Sequence, residues 1–92
     1  MQIKLKAFST LRPYLKSCHI GYLGEAYESP ENLDIQGLIS HLGFNASEVE
    51  GVFVNHTVVP KTTKLKEGDT VALIPPGTPG SYRLILGIKE NA

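Results

Sequence analysis

The chain has 92 residues, 41% of them hydrophobic, enough apolar material for one core and one domain. Nine Lys and Arg balance nine Asp and Glu, and a formal net charge of zero argues against nucleic acid, where affinity comes mainly from neutralising phosphates. A single cysteine, Cys18, excludes an internal disulfide framework; with no signal-peptide block and no run near the roughly 18 apolar residues of a membrane span, a cytoplasmic protein without a membrane partner is expected.

"QIKLKAF" sets Ile3, Leu5 and Ala7 on one face and Gln2, Lys4 and Lys6 on the other, the period of a half-buried strand. In "STLRPYLKS", Pro13 favours a loop or short turn over a long helix. "GYLGEAYES" is a second strand, weakened by its glycines and supported by Tyr22, Leu23 and Tyr27. "LDIQGLISHLGF" then predicts a helix. Asp34 is its N-cap, Ile35, Leu38, Ile39 and Leu42 have helical spacing, and Gly43 is its stop. "VEGVFVNHTVVP" reads as a hairpin turning at Asn55-His56, and "LKEGDTVALI" as a Gly68-Asp69 turn leading into a strand from Thr70 to Ile74.

The order is strand, loop, strand, helix, hairpin, strand. It predicts an α+β layout, a mixed twisted sheet with one helix of two to three turns across one face. Strands 2–8 and 70–74 are apolar enough to lie centrally.

Catalytic constellations are thin. His19, His41 and His56 fall in three segments without metal-ligand spacing, so no metal is expected. His41 reads as a partly exposed helical residue and His56 as a hairpin tip. Cys18-His19 has the composition of a nucleophile beside a base, but neighbours in a strand point to opposite faces, and a half-buried inert thiol is the expectation. "GTPG" lacks the flanking helices and basic charge of an RNA clamp. The chain is not expected to be an enzyme.

"VFVNHTVVP" and "LKEGDTVALIPP", with the glycines that follow, resemble the ThiS/MoaD-like sulfur-carrier family of ubiquitin-like β-grasp proteins. Val52, Val54, Asn55 and Val59 match the family's hairpin pattern. Leu65, Gly68, Asp69, Val71, Leu73 and Ile74 match its last strand, and Phe8, Leu11 and Arg12 its opening segment. Pro75-Pro76 is most similar to molybdopterin-synthase small subunits. The resemblance implies a β-grasp domain over 1–76 with a tail over 77–92. It also implies a carrier for molybdopterin, tungstopterin or thiamin biosynthesis, not a catalyst. In that chemistry an adenylating enzyme joins AMP to a C-terminal glycine carboxylate, sulfur replaces AMP to give a thiocarboxylate, and a synthase large subunit takes the sulfur. No resident cofactor is implied. Phe53 and Ile74, on an exposed sheet face near the tail, are the expected partner contacts, with packing in the core the equal alternative for Phe53.

The tail, Pro75, Pro76, Gly77, Thr78, Pro79 and Gly80, departs from that pattern. Gly80 aligns with the sulfur-accepting terminal glycine, yet Pro79 replaces the penultimate one and twelve residues follow. Two readings stay open. A protease cuts after Gly80 and releases a working carrier, or "SYRLILGI", with Tyr82, Leu84, Leu86 and Ile88 on one face, is an added strand of a β-grasp binding module.

Overall fold

The computed structural model describes residues 1–76. The alternation of the amino-terminal segment becomes β1 (Gln2–Ala7), with Ile3, Leu5 and Ala7 buried. After α1 (Leu11–Ser17) come β2 (Leu23–Glu28) and α2 (Ile35–Leu42). A 3-10 turn at Ala46–Glu48 leads to β3 (Gly51–Val54), β4 (Thr57–Val59) and β5 (Thr70–Ile74). Among the described residues these strands form one sheet in the order β2-β1-β5-β3-β4. β1 and β5 run parallel, and the other neighbours are antiparallel. The topology is a ubiquitin-like β-grasp, an α+β fold.

α2 forms as its caps dictate. Asp34 Oδ1 accepts from the Gly37 amide at 2.7 Å, and Gly43 terminates the helix in the left-handed region at φ 94°. Ile35, Leu38, Ile39 and Leu42 face the sheet and pack with Ile3, Leu5, Val52, Val71 and Leu73 in one core. The hairpin turn has positive φ at both Asn55 and His56, the geometry of a tight two-residue connection.

α1 corrects the expectation of a loop over residues 9–17. Pro13 stands in the first turn, where backbone amides have no partner within the helix, so its missing N–H removes nothing. Leu11 and Leu15, four apart, bury one face of the helix and hold it. The sheet is therefore accompanied by two α-helices rather than one. Cys18 also departs from expectation. It caps α1 rather than lying in a strand, and its thiol is exposed. The neighbouring Tyr14 phenol is pushed above its usual range, first by its hydrogen bond to Cys18, then by that thiol's charge. Among the described residues no helix is long and apolar enough to cross a membrane.

Candidate functional site

The site is the end of the sheet where β5 hands the chain to its tail. β1 and β5 are parallel and in register, with Ala7 opposite Leu73, so the ends of both strands open on the same side of the molecule. Ile74 and Pro75 are buried there and Pro76 is exposed. Pro75-Pro76 restricts φ to near −65° at two successive residues, so the backbone is stiffened directly after β5.

Beside this exit, residues that follow β1 build a cationic aromatic cluster. The Arg12 Nε donates to the Ala7 carbonyl at 2.9 Å. Its guanidinium lies 5.6 Å from the Phe8 ring centre and 5.7 Å from that of Tyr22. Two rings and a carbonyl thus orient one planar cation, which helix α1 delivers from its first turn. Lys6 and Leu23 complete the lining of an open depression around it. Phe8 and Arg12 were legible as part of a motif. Lys6 and Tyr22 were not, and the available signal was that Lys6 stands on the polar side of β1 and Tyr22 just before β2.

At the opposite end of β5, the two motif residues of the hairpin and the last turn meet. The Asn55 Nδ2 donates to Asp69 Oδ1 at 3.0 Å, and Asn55 Oδ1 accepts from the Thr70 amide at 3.0 Å. Asp69 Oδ2 accepts from the Lys66 amide at 2.8 Å. Every polar atom of both side chains has a backbone or side-chain partner in the sheet's own construction. These two residues shape the sheet and supply no group for chemistry.

Phe53 and Ile74 stand on the sheet face away from α2, as the register requires. Phe53 pairs with Ala72 and Gly51 with Ile74, while their neighbours Val52, Val71 and Leu73 point to the core. The expected exposure is corrected for Ile74, and for Phe53 the packing alternative holds. Phe53 is 7% exposed and Ile74 0%, although neither joins the helix-side core cluster. The other named tail residues, Gly77, Thr78, Pro79 and Gly80, lie outside the described residues. The histidines are not brought together: His19 follows the end of α1, His41 is exposed on α2 and His56 is at the hairpin tip. Among the described residues no group of three or more His, Cys, Asp or Glu is placed to hold a metal ion.

The ThiS family model matches residues 19–80, about two thirds of the chain. No curated protein matches the sequence. Two solved structures share the architecture. One is a Pyrococcus furiosus protein assigned as molybdopterin converting factor, subunit 1, with 23% identity and a TM-score of 0.58 over 83% of this chain and 98% of that one. The other is SAMP1 from Haloferax volcanii, with 15% identity and a TM-score of 0.58 over 87% of this chain and 100% of that one. At such identities they speak for the fold, whereas the family match speaks for the sequence, and on that match the chain belongs to the ThiS family of small ubiquitin-like sulfur carriers.

Proposed function

We propose that this protein carries sulfur as a thiocarboxylate on Gly80, after removal of residues 81–92. The observation that carries this reading is the extent of the family match, which runs to Gly80 and stops there, leaving twelve residues beyond it. The body of the protein, its tail exit and its Pro-Pro stem have the form such a carrier needs. Four residues, 77–80, extend at most about 14 Å, so the stem delivers a carboxylate a short distance from a rigid body into a partner's site.

The chemistry requires three steps. Water adds to the Gly80 carbonyl and the Ser81 amine leaves, which frees the carboxylate. A carboxylate oxygen attacks the α-phosphorus of ATP in an adenylating enzyme and pyrophosphate departs, leaving the Gly80 acyl adenylate. A sulfur nucleophile attacks the acyl carbon, AMP leaves, and the thiocarboxylate remains. A synthase large subunit then receives the sulfur. The protein supplies a carboxylate on a chain thin enough to enter the nucleotide site, since glycine has no side chain to obstruct it. It is a co-substrate of these enzymes and catalyses none of the steps. The name of the Pyrococcus neighbour favours molybdopterin synthesis as the destination.

The test is the intact mass of the protein isolated from its own cells, together with a chain made to end at Gly80. A species of 80 residues with sulfur in place of one carboxyl oxygen supports the carrier. If only the full 92-residue chain is found, and the 80-residue chain accepts no AMP from the cognate adenylating enzyme, the reading fails.

A further inference from the structure

Lys6 and Arg12 line one depression, and among the described residues neither forms an ion pair. The neighbouring Glu25 carboxylate instead accepts from the Leu23 amide at 2.8 Å. Arg12 is held in place. Its Nε donates to the Ala7 carbonyl at 2.9 Å, and the rings of Phe8 and Tyr22 flank its guanidinium at 5.6 and 5.7 Å. The donors of both terminal nitrogens have no acceptor among the described residues, so the open end of a planar fork is presented in one orientation. Lys6 is placed by a different device. The register of β1 on β2 slips between Leu5 and Lys6, with Gly24 as the extra residue at φ 99°. A side chain at Gly24 would come 3.3 Å from Lys6 Cε, so the bare backbone of the bulge makes room for the lysine stem.

We propose that this depression docks an Asp or Glu side chain of the adenylating enzyme, a choice of partner that rests on the carrier reading of Gly80. The chemistry selects the occupant. The end of the Arg12 fork matches a carboxylate in a bidentate pair, and Lys6 adds a second positive charge beside it. The depression is open, about 200 Å³ in volume, and its lining includes Leu23, which is 63% exposed. Arg and Tyr beside an exposed apolar side chain have the composition of a protein interface, whereas a free phosphate is held by converging backbone amides. The guanidinium is already oriented by two rings and a carbonyl, so little side-chain freedom is lost when a partner binds.

The place of the depression fits as well. Ala7 pairs with Leu73, so the depression begins one strand spacing, about 4.8 Å, from the strand that feeds the tail. An enzyme that holds the tail meets the two cations in the same encounter. The chain has no formal net charge, so the attraction is local and is screened beyond about 8–10 Å at physiological salt. It acts once the surfaces touch and fixes the body while the tail enters the nucleotide site. Such a two-point grip raises the effective concentration of the tail at that site.

The depression belongs to the folded body, so docking is measured on the full 92-residue chain, whether or not Gly80 is ever freed. The probe is the cognate adenylating enzyme, and the readout is its Kd by titration calorimetry at low and high salt. Arg12→Lys keeps the charge but removes the fork, and should weaken binding about tenfold or more. Lys6→Gln should weaken it several-fold and flatten its salt dependence, with an unchanged urea midpoint. An unchanged Kd in both variants, or no binding by the wild-type chain, would overturn the proposal. Inorganic phosphate that displaces the enzyme and shifts the Arg12 Nε–H resonance would assign the depression to a free anion and overturn it too. In a chain ending at Gly80 the same variants should raise the KM for adenylation and leave kcat unchanged. Adenylation with an unaltered KM would keep the carrier and remove the docking site. Weakened binding by the variants of a chain that is never adenylated would keep the docking site and remove the carrier.

Discussion

Asn55 and Asp69, fourteen residues apart, are joined by a 3.0 Å hydrogen bond from the Asn55 amide to the Asp69 carboxylate. The bond ties the tip of the β3–β4 hairpin to the turn that begins β5. Asn55 holds Thr70 from both sides as well, donating its own backbone amide to the Thr70 carbonyl at 2.8 Å and accepting from the Thr70 amide through its side chain. The pair therefore sets the register at which β5 enters the sheet, and with it the point at which the tail leaves.

Asp69→Ala leaves the Asn55 side-chain amide and the Lys66 amide without their acceptor, and should cost about 1–3 kcal/mol in urea unfolding. Asn55→Ala should cost a similar amount, part of it from the left-handed backbone at φ 52°. The two losses should fall short of additivity by about 0.5–3 kcal/mol in a double-mutant cycle. Full additivity would mean that the pair is not a unit.

Gly43 closes α2 against Tyr14. A Cβ at this position would collide with the Tyr14 hydroxyl, and the backbone is left-handed as well. Gly43→Ala should therefore lose the roughly 1–2 kcal/mol of backbone strain plus a steric component. In a Tyr14→Phe background the loss should be smaller, because the colliding oxygen is gone while the strain remains. Equal losses in both backgrounds would locate the whole effect in the backbone.

Tyr27, packed on the core beside β1, has its phenol pushed up by burial. Burial disfavours the phenolate, so the folded protein holds this proton more tightly than the unfolded chain does. That contribution is fully present below the unfolded value, near 10, and is lost as the pH rises through the higher folded value. Stability measured by urea between about pH 9 and 11 should fall with rising pH, and the fall should be shallower in Tyr27→Phe. A parallel decline in the two proteins would exclude Tyr27 as a source.

Gly80 can be tested apart from the fold. In a chain made to end at residue 80, Gly80→Val adds a branched side chain next to the reacting carboxylate. Adenylation by the cognate enzyme, read by pyrophosphate exchange, should fall about a hundredfold, with an unchanged urea midpoint. A variant that reacts normally would remove Gly80 from its assigned place.

The turns and repeats of this protein were written locally. Alternation in β1, the spacing and caps of α2, the Asn55-His56 turn and the Gly68-Asp69 turn each follow from steric and hydrogen-bonding rules that act within a few residues, so the order of the strands and α2 and the α+β layout could be read from those rules, while the β-grasp class came from the resemblance of the motifs to a known family. Other features arise from contacts between distant segments. Pro13 pointed to a loop, yet burial of Leu11 and Leu15 makes α1 a helix, since packing outweighs a propensity whose cost vanishes in the first turn. Cys18 is exposed because of where that helix ends. Phe53 and Ile74 carried the pattern of a strand face but no information on what lies above it, because alternation specifies two sides and only the three-dimensional assembly decides which of them is covered. The same holds for Asn55 and Asp69: each residue type could be read as turn chemistry, but their hydrogen bond exists only once β5 has been inserted between β1 and β3.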